Sequence, residues 1–212
     1  MKKILMFAVA MFGFVGGLCA QSDPAAKAVL DKSAEKFKSY SSAEVKFSMT
    51  MENKAEGIND SYDGIAYMMG NMYRVELMGV INFFDGQNIY SYNPDIAEVT
   101  VKNPNDSEEE LLQPNELFNI HNKGFVQKSA GTEGGDVKID LIPEDDTKSF
   151  AKLTVWVSSS TNMISKVVAY GKDGNDVIVK IASFKKPASP LNESIFKYSA
   201  EAYPDAELVD LR

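Results

Sequence analysis

The stretch that decides the fold is Asp85-Gly86-Gln87-Asn88-Ile89-Tyr90-Ser91-Tyr92-Asn93-Pro94-Asp95-Ile96-Ala97-Glu98-Val99. It predicts a turn, a short aromatic strand, a second turn and the start of a new strand, because Asp-Gly and Asn-Pro-Asp are turn sequences. Residues 73–77 alternate apolar and charged side chains and precede it at hairpin distance. The region therefore predicts a meander of strands whose aromatic and methionine side chains form a surface for an apolar ligand.

The rest of the chain extends this pattern. Asp23-Pro24 suits the N-cap and first position of a helix, and apolar side chains then recur at helical spacing. From residue 43 the apolar side chains recur at every second position, as in a strand. A helical interlude is expected over residues 107–121, and one more helical turn is expected after Pro190. The sequence thus predicts a mainly β (α+β) fold, an open antiparallel half-barrel of about eleven strands with a short helical lid.

The N-terminus has the features of a secretory signal peptide. Lys2 and Lys3 precede an uncharged run over residues 4–18, and the small residue Ala20 follows shortly afterwards. The run is short for a membrane span, which needs about 20 apolar residues. We expect cleavage after Ala20, so that the chain is exported and residues 1–20 are removed.

Cys19 offers a competing interpretation, in which the exported protein is anchored by a lipid on this cysteine. Lipoprotein signals need a small residue immediately before the cysteine and a leucine three residues before it. This chain has Leu18 and Gly16 at those places. We therefore expect cleavage rather than lipid attachment, and residues 21–212 form one domain without a cysteine.

The composition makes some functions improbable for the exported domain. The full chain has a net charge of −8, and loss of the signal peptide makes it more negative still. An acidic chain binds nucleic acid poorly, because phosphate recognition requires clustered lysine and arginine. It also gains nothing from an anionic membrane surface. The acidity fits a protein that stays soluble after export, and we expect a monomer.

No catalytic or metal-binding pattern is found in the sequence. His121 is the only histidine, is expected on a helix surface, and cannot supply a zinc site by itself. Asp145-Asp146 and Asp173-Gly174-Asn175-Asp176 lack the closing glutamate of a calcium loop. We expect neither enzyme activity nor a cofactor. A secreted hydrolase or carbohydrate-binding module assembled from scattered carboxylates remains an alternative, although Trp156 is the only tryptophan available as a sugar platform.

The apolar side chains are the remaining feature. The sequence contains ten methionines, twelve phenylalanines and nine tyrosines, and for most of them an ordinary core position is the better expectation. A half-barrel with a short lid nevertheless encloses more volume than its own side chains fill. Methionine is unbranched and adapts to varied apolar partners, of which acyl chains are one class.

Several short motifs carry a resemblance to a known family. They are the Asp85–Val99 stretch with its D-G-x-x-x-aromatic start, the Tyr73-Arg74-Val75-Glu76 strand, Leu117-Phe118 in the interlude, Leu141-Ile142-Pro143, and the closing residues 204–210. The sequence resembles the periplasmic outer-membrane lipoprotein carriers, the LolA-like family. The resemblance extends over most of residues 21–212 and implies a lipoprotein-carrier domain in the periplasm. It also implies partners: acylated lipoproteins, an inner-membrane ATP-driven exporter and an outer-membrane acceptor.

The resemblance, taken with strand alternation, implies which residues hold the acyl chains. We expect the lining to be Phe47, Met49, Tyr67, Met69, Tyr73, Val75, Phe83, Ile89, Leu112, Phe118 and Trp156. The lid would carry Leu111, Leu117 and Ile120.

One departure from the family concerns the residue that fastens the lid. The best-known members carry an arginine at the end of the strand before their aromatic strand, where this chain has Met68-Met69-Gly70-Asn71. Arg74 is the nearest candidate for a latch, with a surface ion pair to Glu76 as the alternative. A lipid-binding or lipoprotein-sensing protein on the same fold is the alternative function.

Overall fold

The computed structural model describes residues 22–104 and 113–212. The expected signal peptide, Cys19, and the expected site residues Leu111 and Leu112 lie outside the described residues. A helix, α1, spans Pro24–Lys38, and a shorter helix, α2, spans Pro114–Leu117. Two 3₁₀ turns span Ile120–Asn122 and Glu193–Phe196. The strands are β1 Ser42–Asn53, β2 Ile58–Met69, β3 Met72–Leu77, β4 Val80–Phe84, β5 Ile89–Asn93, β6 Glu98–Lys102, β7 Phe125–Glu133, β8 Asp136–Pro143, β9 Phe150–Ser158, β10 Ile164–Gly171, β11 Asp176–Lys185 and β12 Glu207–Asp210.

These strands belong to one open sheet, in the order β12-β6-β5-β4-β3-β2-β1-β11-β10-β9-β8-β7. Two antiparallel meanders, β1–β6 and β7–β11, are joined where β1 pairs with β11. The predicted open, mainly β fold is confirmed. The edge pair of β12 with β6 is parallel, whereas the sequence predicts an antiparallel sheet throughout. The difference arises because the chain crosses the sheet between β11 and β12 instead of turning back in a hairpin.

Alternation along the strands gives the sheet two distinct faces. We call the face against which α1 and α2 pack the inner face. On β1 it carries Val45, Phe47 and Met49, whose cross-strand partners on β2 include Ala66. Ala66 in turn pairs with Val75 on β3, so the inner face continues across the first meander.

Helix α1 covers the inner face of the second meander. It begins where the Asp23 carboxylate accepts a hydrogen bond of 2.8 Å from the backbone N–H of Ala25, and Pro24 occupies the first position. Its buried residues Ala26 and Leu30 pack in one core with fully buried side chains of β8 and β9, such as Ile139. Burying a leucine in this way contributes about 1.5–3 kcal/mol.

The outer face is also covered in part. The segment between β11 and β12 carries Phe196, whose side chain is fully buried, and Tyr203. The Tyr203 ring lies 6.0 Å from the ring of Phe83 and 4.3 Å from that of Tyr92, measured between centroids. A second, smaller core therefore lies on the outer face of β4 and β5. Within the described residues, no helix is long and apolar enough to span a bilayer.

Candidate functional site: an apolar cavity beneath a helical lid

The lid consists of α2 and the 3₁₀ turn that follows it, residues 114–122. Pro114 starts α2 because its fixed backbone angle suits a first helical position. Leu117, Phe118 and Ile120 are buried against the core beneath. The ring of Phe118 stacks on Phe37 of α1, with centroids 3.9 Å apart and planes 8° from parallel. The lid is therefore packed down onto both the helix and the sheet.

A polar contact also connects the lid to α1. His121 Nε2 lies 3.0 Å from the Asp31 carboxylate, and the side chain of His121 is buried. Gln127 on β7 donates from its amide to the carbonyl oxygens of His121 and Phe125. Burial lowers the pKa of His121 below its ordinary value, and the hydrogen bond to Asp31 acts in the opposite direction. The expected surface histidine is thus wrong: the ring is an interior contact of the lid.

An apolar cavity of about 50 Å³ lies beneath the lid, between it and the first meander. Its described lining residues are all apolar; they are Val45, Phe47, Ala66, Met68, Val75, Pro114, Leu117, Phe118, Val179 and Ile181. This volume has room for a few water-sized groups only. A larger apolar ligand would enter only if lid and cavity side chains moved apart.

Three of the predicted lining residues, Phe47, Val75 and Phe118, line this cavity. Three more lie on the inner face of the first meander without lining the cavity; they are Met49, Tyr73 and Ile89. Tyr73 is buried and packs against Phe84, with ring centroids 5.3 Å apart.

The predicted face of β2 is wrong by one residue. Tyr67 pairs with Glu44 on β1, so its side chain lies on the outer face, and Met69, in phase with it at the end of β2, lines a separate cavity described below. Ala66 and Met68 line the cavity instead. Sequence reasoning misses them because two consecutive methionines leave the phase of the strand ambiguous, and a shift of one residue exchanges the faces.

Phe83 and Trp156 also differ from expectation. Phe83 pairs with Arg74 on the outer face and belongs to the core formed with Tyr203. Trp156 lies on the outer face of β9, where the ammonium groups of Lys166 and Lys138 are 3.6 Å and 5.2 Å from its ring centroid. Both rings are buried, but by residues on the far side of the sheet from the cavity.

Arg74, the candidate latch, points away from the lid. Its guanidinium Nη2 lies 2.9 Å from Glu76 Oε1, and its Cζ lies 5.2 Å from the ring centroid of Phe83. Alternation explains this placement, because the neighbouring residues Tyr73 and Val75 occupy the inner face. The alternative interpretation, a surface ion pair with Glu76, describes what is found. The contact between His121 and Asp31 connects the lid to α1 instead.

A second cavity, of about 280 Å³, lies beside the first where α1 ends and β1 begins. We call it the vestibule; its lining residues are Phe37, Lys38, Tyr40, Ser41, Ser42, Ala43, Met68, Met69, Gly70, Asn71 and Asn119. Met68 lines both cavities. Phe37 of the vestibule and Phe118 of the apolar cavity are the two stacked rings. Polar and apolar groups are mixed in this lining, in contrast to the apolar cavity.

Residues 22–104 and 113–212 contain no group of three His, Cys, Asp or Glu side chains placed to hold a metal ion. The chemistry that the lidded cavity offers is the binding of an apolar group.

Sequence comparison gives one family match. The model of the family described as outer membrane lipoprotein carrier protein LolA matches residues 80–199, more than half of the chain. The matched region includes β4 to β11 and the whole of α2. The chain has no significant match among curated protein sequences.

Solved structures share the fold at low sequence identity. A conserved, uncharacterized protein from Thermus thermophilus superposes with a TM-score of 0.57 at 13% identity, covering 88% of this chain and 99% of that one. A LolA superfamily protein from Nitrosomonas europaea gives 0.47 at 13% identity, with coverages of 82% and 97%. The Mycobacterium tuberculosis lipoprotein LppX gives 0.47 at 16% identity, with coverages of 79% and 99%. At these identities the Thermus match establishes the fold and nothing further.

Proposed function

Because the chain belongs to the LolA family of outer membrane lipoprotein carrier proteins, we propose that it is a periplasmic carrier of lipoproteins. It shields their acyl chains in the cavity beneath the lid and moves them from the inner to the outer membrane. It accepts them from an inner-membrane ATP-driven exporter and delivers them to an outer-membrane acceptor. Residues 1–20 direct export and are removed after Ala20.

The observation that carries this proposal is the apolar cavity between the first meander and the lid. All ten of its described lining residues are apolar, and three of them, Pro114, Leu117 and Phe118, belong to the lid. An acyl chain of about sixteen carbons in water costs on the order of 12 kcal/mol, at about 0.8 kcal/mol per CH₂. A cavity of this kind removes that cost while a lipoprotein crosses an aqueous compartment.

The cavity as it stands is too small for an acyl chain, so binding has to be coupled to lid movement. The contacts that hold the lid include the burial of Leu117 and Ile120, the stack of Phe118 on Phe37 and the contact of His121 with Asp31. A ligand that occupies the cavity favours the conformation in which the lid has moved outward. The carrier would then exist in a closed empty form and an expanded loaded form.

The test is release of a lipoprotein from membranes. Residues 21–212 are incubated with spheroplasts or inner-membrane vesicles that hold a newly made lipoprotein, and the soluble fraction is analysed by size. We expect a soluble complex of one carrier and one lipoprotein. If neither release nor binding of a fluorescent fatty acid occurs, the carrier function is rejected. Binding of the fatty acid without release would instead indicate a lipid-binding or lipoprotein-sensing relative with a different cargo.

A pair of adjacent substitutions controls for the introduction of a carboxylate and for folding. Val45→Asp places a carboxylate in the cavity wall, whereas Lys46→Asp places one on the exposed outer face of the same strand. We expect the first to abolish release and the second to leave it intact, with circular dichroism confirming that both variants are folded. If Val45→Asp does not fold, Phe118→Ala removes a cavity ring from the lid and takes its place.

A further inference from the structure

The two cavities differ in chemistry and meet at Met68 and at the stacked rings of Phe37 and Phe118. The apolar cavity is lined by apolar side chains of the described residues, whereas the vestibule adds hydroxyl, amide and ammonium groups. Phe37 lines the vestibule, and its stacked partner Phe118 lines the apolar cavity. An amphiphile placed across this boundary would have its apolar part on one side of the stack and its polar part on the other.

We propose that the vestibule is the binding site for the polar end of an acylated ligand, and that the ligand enters tail first as Phe118 leaves Phe37. The inference rests on the proposed function, since it assumes that the apolar cavity takes an acyl chain. It assigns an orientation: the carboxyl, ester or amide end lies beside Ser41 and Ser42, and the methyl end points along β1 towards Met49 and the β1–β2 hairpin.

The direction follows from the order of side chains along the inner face. Ala43 lines the vestibule, Val45 and Phe47 line the apolar cavity, and Met49 lies beyond it on the same strand. With a strand rise of about 3.3 Å per residue, Ala43 and Met49 are about 20 Å apart. The vestibule at the Ala43 end supplies hydroxyl, amide and ammonium groups, so the polar end of the ligand is assigned to that end.

The charged groups that line the vestibule indicate which charge the polar end of the ligand carries. Among the described residues, Lys38 is the only charged one that lines it, and no carboxylate does. The ammonium group of Lys36, two residues earlier on α1, lies instead 5.4 Å from the ring centroid of Tyr40. The vestibule therefore favours a neutral or anionic polar end over a cationic one.

The orientation is tested by nitroxide quenching in residues 21–212, which contain no cysteine, so that one introduced cysteine is the only thiol. A bimane fluorophore is attached at Ser41→Cys in the vestibule or at Asp60→Cys, which pairs with Met51 at the far end of β1. Both positions are exposed, so neither label disturbs packing. The probes are two stearates, one with its nitroxide near the carboxyl end and one near the methyl end.

We expect the carboxyl-end nitroxide to quench the Ser41 label more strongly, and the methyl-end nitroxide to quench the Asp60 label more strongly. Equal quenching at both labels, or the reverse pattern, would overturn the assigned orientation while leaving the carrier function intact. If neither stearate quenches either label and unlabelled fatty acid fails to compete with a fluorescent one, the apolar cavity takes no acyl chain. The proposed function then fails together with this inference.

Two further variants test the vestibule charge and the ring stack separately. Lys38→Gln is expected to weaken stearate binding about two- to fivefold, as for a partly exposed charge pair, and to leave a monoacylglycerol unaffected. Lys36→Gln is the matched control and changes neither. Phe37→Leu removes the stacked partner of Phe118 and is expected to raise ligand entry and exit rates about two- to tenfold. Unchanged rates would contradict the role of the stack as the boundary that the ligand crosses.

Discussion

The ring of Phe47 lies against the backbone of Gly64, its cross-strand partner on β2. A Cβ atom at position 64 would lie 2.8 Å from Phe47 Cε2, which is closer than real Cβ contacts. Glycine weakens a strand interior, so its presence here reflects the need for a close approach. The absence of a side chain lets the Phe47 ring, which lines the cavity, approach the backbone of β2.

We expect Gly64→Ala to push the Phe47 ring into the cavity. Overpacking of this kind lowers the free energy of unfolding by about 1–3 kcal/mol, and the reduced cavity would weaken fatty acid binding. Urea denaturation and titration with a fluorescent fatty acid measure the two effects. The double variant with Phe47→Leu relieves the collision, so its loss of stability is expected to be smaller than the sum of the two single losses. Additivity to within about 0.5 kcal/mol would argue against the contact.

The buried histidine predicts that stability falls on acidification. Burial lowers the pKa of His121 in the folded protein, so the unfolded chain, with a histidine pKa of about 6.5, takes up the proton first as the pH falls. This contribution to stability is complete well above a pH of about 6.5 and is lost progressively below it. Urea denaturation of wild type and His121→Gln between about pH 5 and pH 8 isolates the contribution, because the variant lacks the group.

Two observations sharpen the histidine prediction. His121 is the only histidine in the sequence, so its imidazole NMR resonances report its pKa without overlap. Asp31→Asn removes a group that raises this pKa, and the pKa of His121 is expected to fall further in that variant. A histidine that titrates above its ordinary value in wild type would contradict the buried placement.

Arg74 is expected to be dispensable for ligand binding. Arg74→Ala removes a partly exposed ion pair with Glu76 and the contact with the Phe83 ring, so we expect a stability loss of about 1 kcal/mol. Fatty acid affinity should remain as in wild type. Val75→Glu, the adjacent substitution on the inner face, should abolish binding. A latch role for Arg74 would be revived if Arg74→Ala weakened binding by itself.

Phe196 is predicted to hold the C-terminal segment against the outer face. Its side chain is 0% exposed, and removing a buried phenylalanine costs about 3–5 kcal/mol. Phe196→Ala should therefore lower the free energy of unfolding by this amount and make the segment between β11 and β12 sensitive to limited proteolysis. Leu211→Ala, at a side chain that is 60% exposed, is the control and should change neither. Equal effects of the two substitutions would show that this outer core contributes little.

The fold could be predicted from the sequence because its signals are local. Turn sequences such as Asp85-Gly86 and the change of period at residue 43 mark where strands begin and end, and these do not depend on distant residues. The parallel pairing of β12 could not be predicted in this way, because it depends on where the preceding segment crosses the sheet.

The cavity lining was harder to predict, because several strands are apolar on both faces. At Met68-Met69 and Phe83-Phe84 two adjacent apolar residues point to opposite faces, and alternation alone does not say which one is inside. Trp156 lies between two buried valines for the same reason. Only the pairing register and the residues that cover the outer face show which member of such a pair lies on the inner face.

The strand order has one more consequence, which concerns the connection between the two meanders. β7 lies at one edge of the sheet, and the lid, which ends at Asn122, leads directly into it. The lid is part of this connection and is covalently tied to that edge. The lid therefore stays attached to the β7 edge when it moves outward, so a larger cargo would have to enter past a cover that remains tethered to one edge of the sheet.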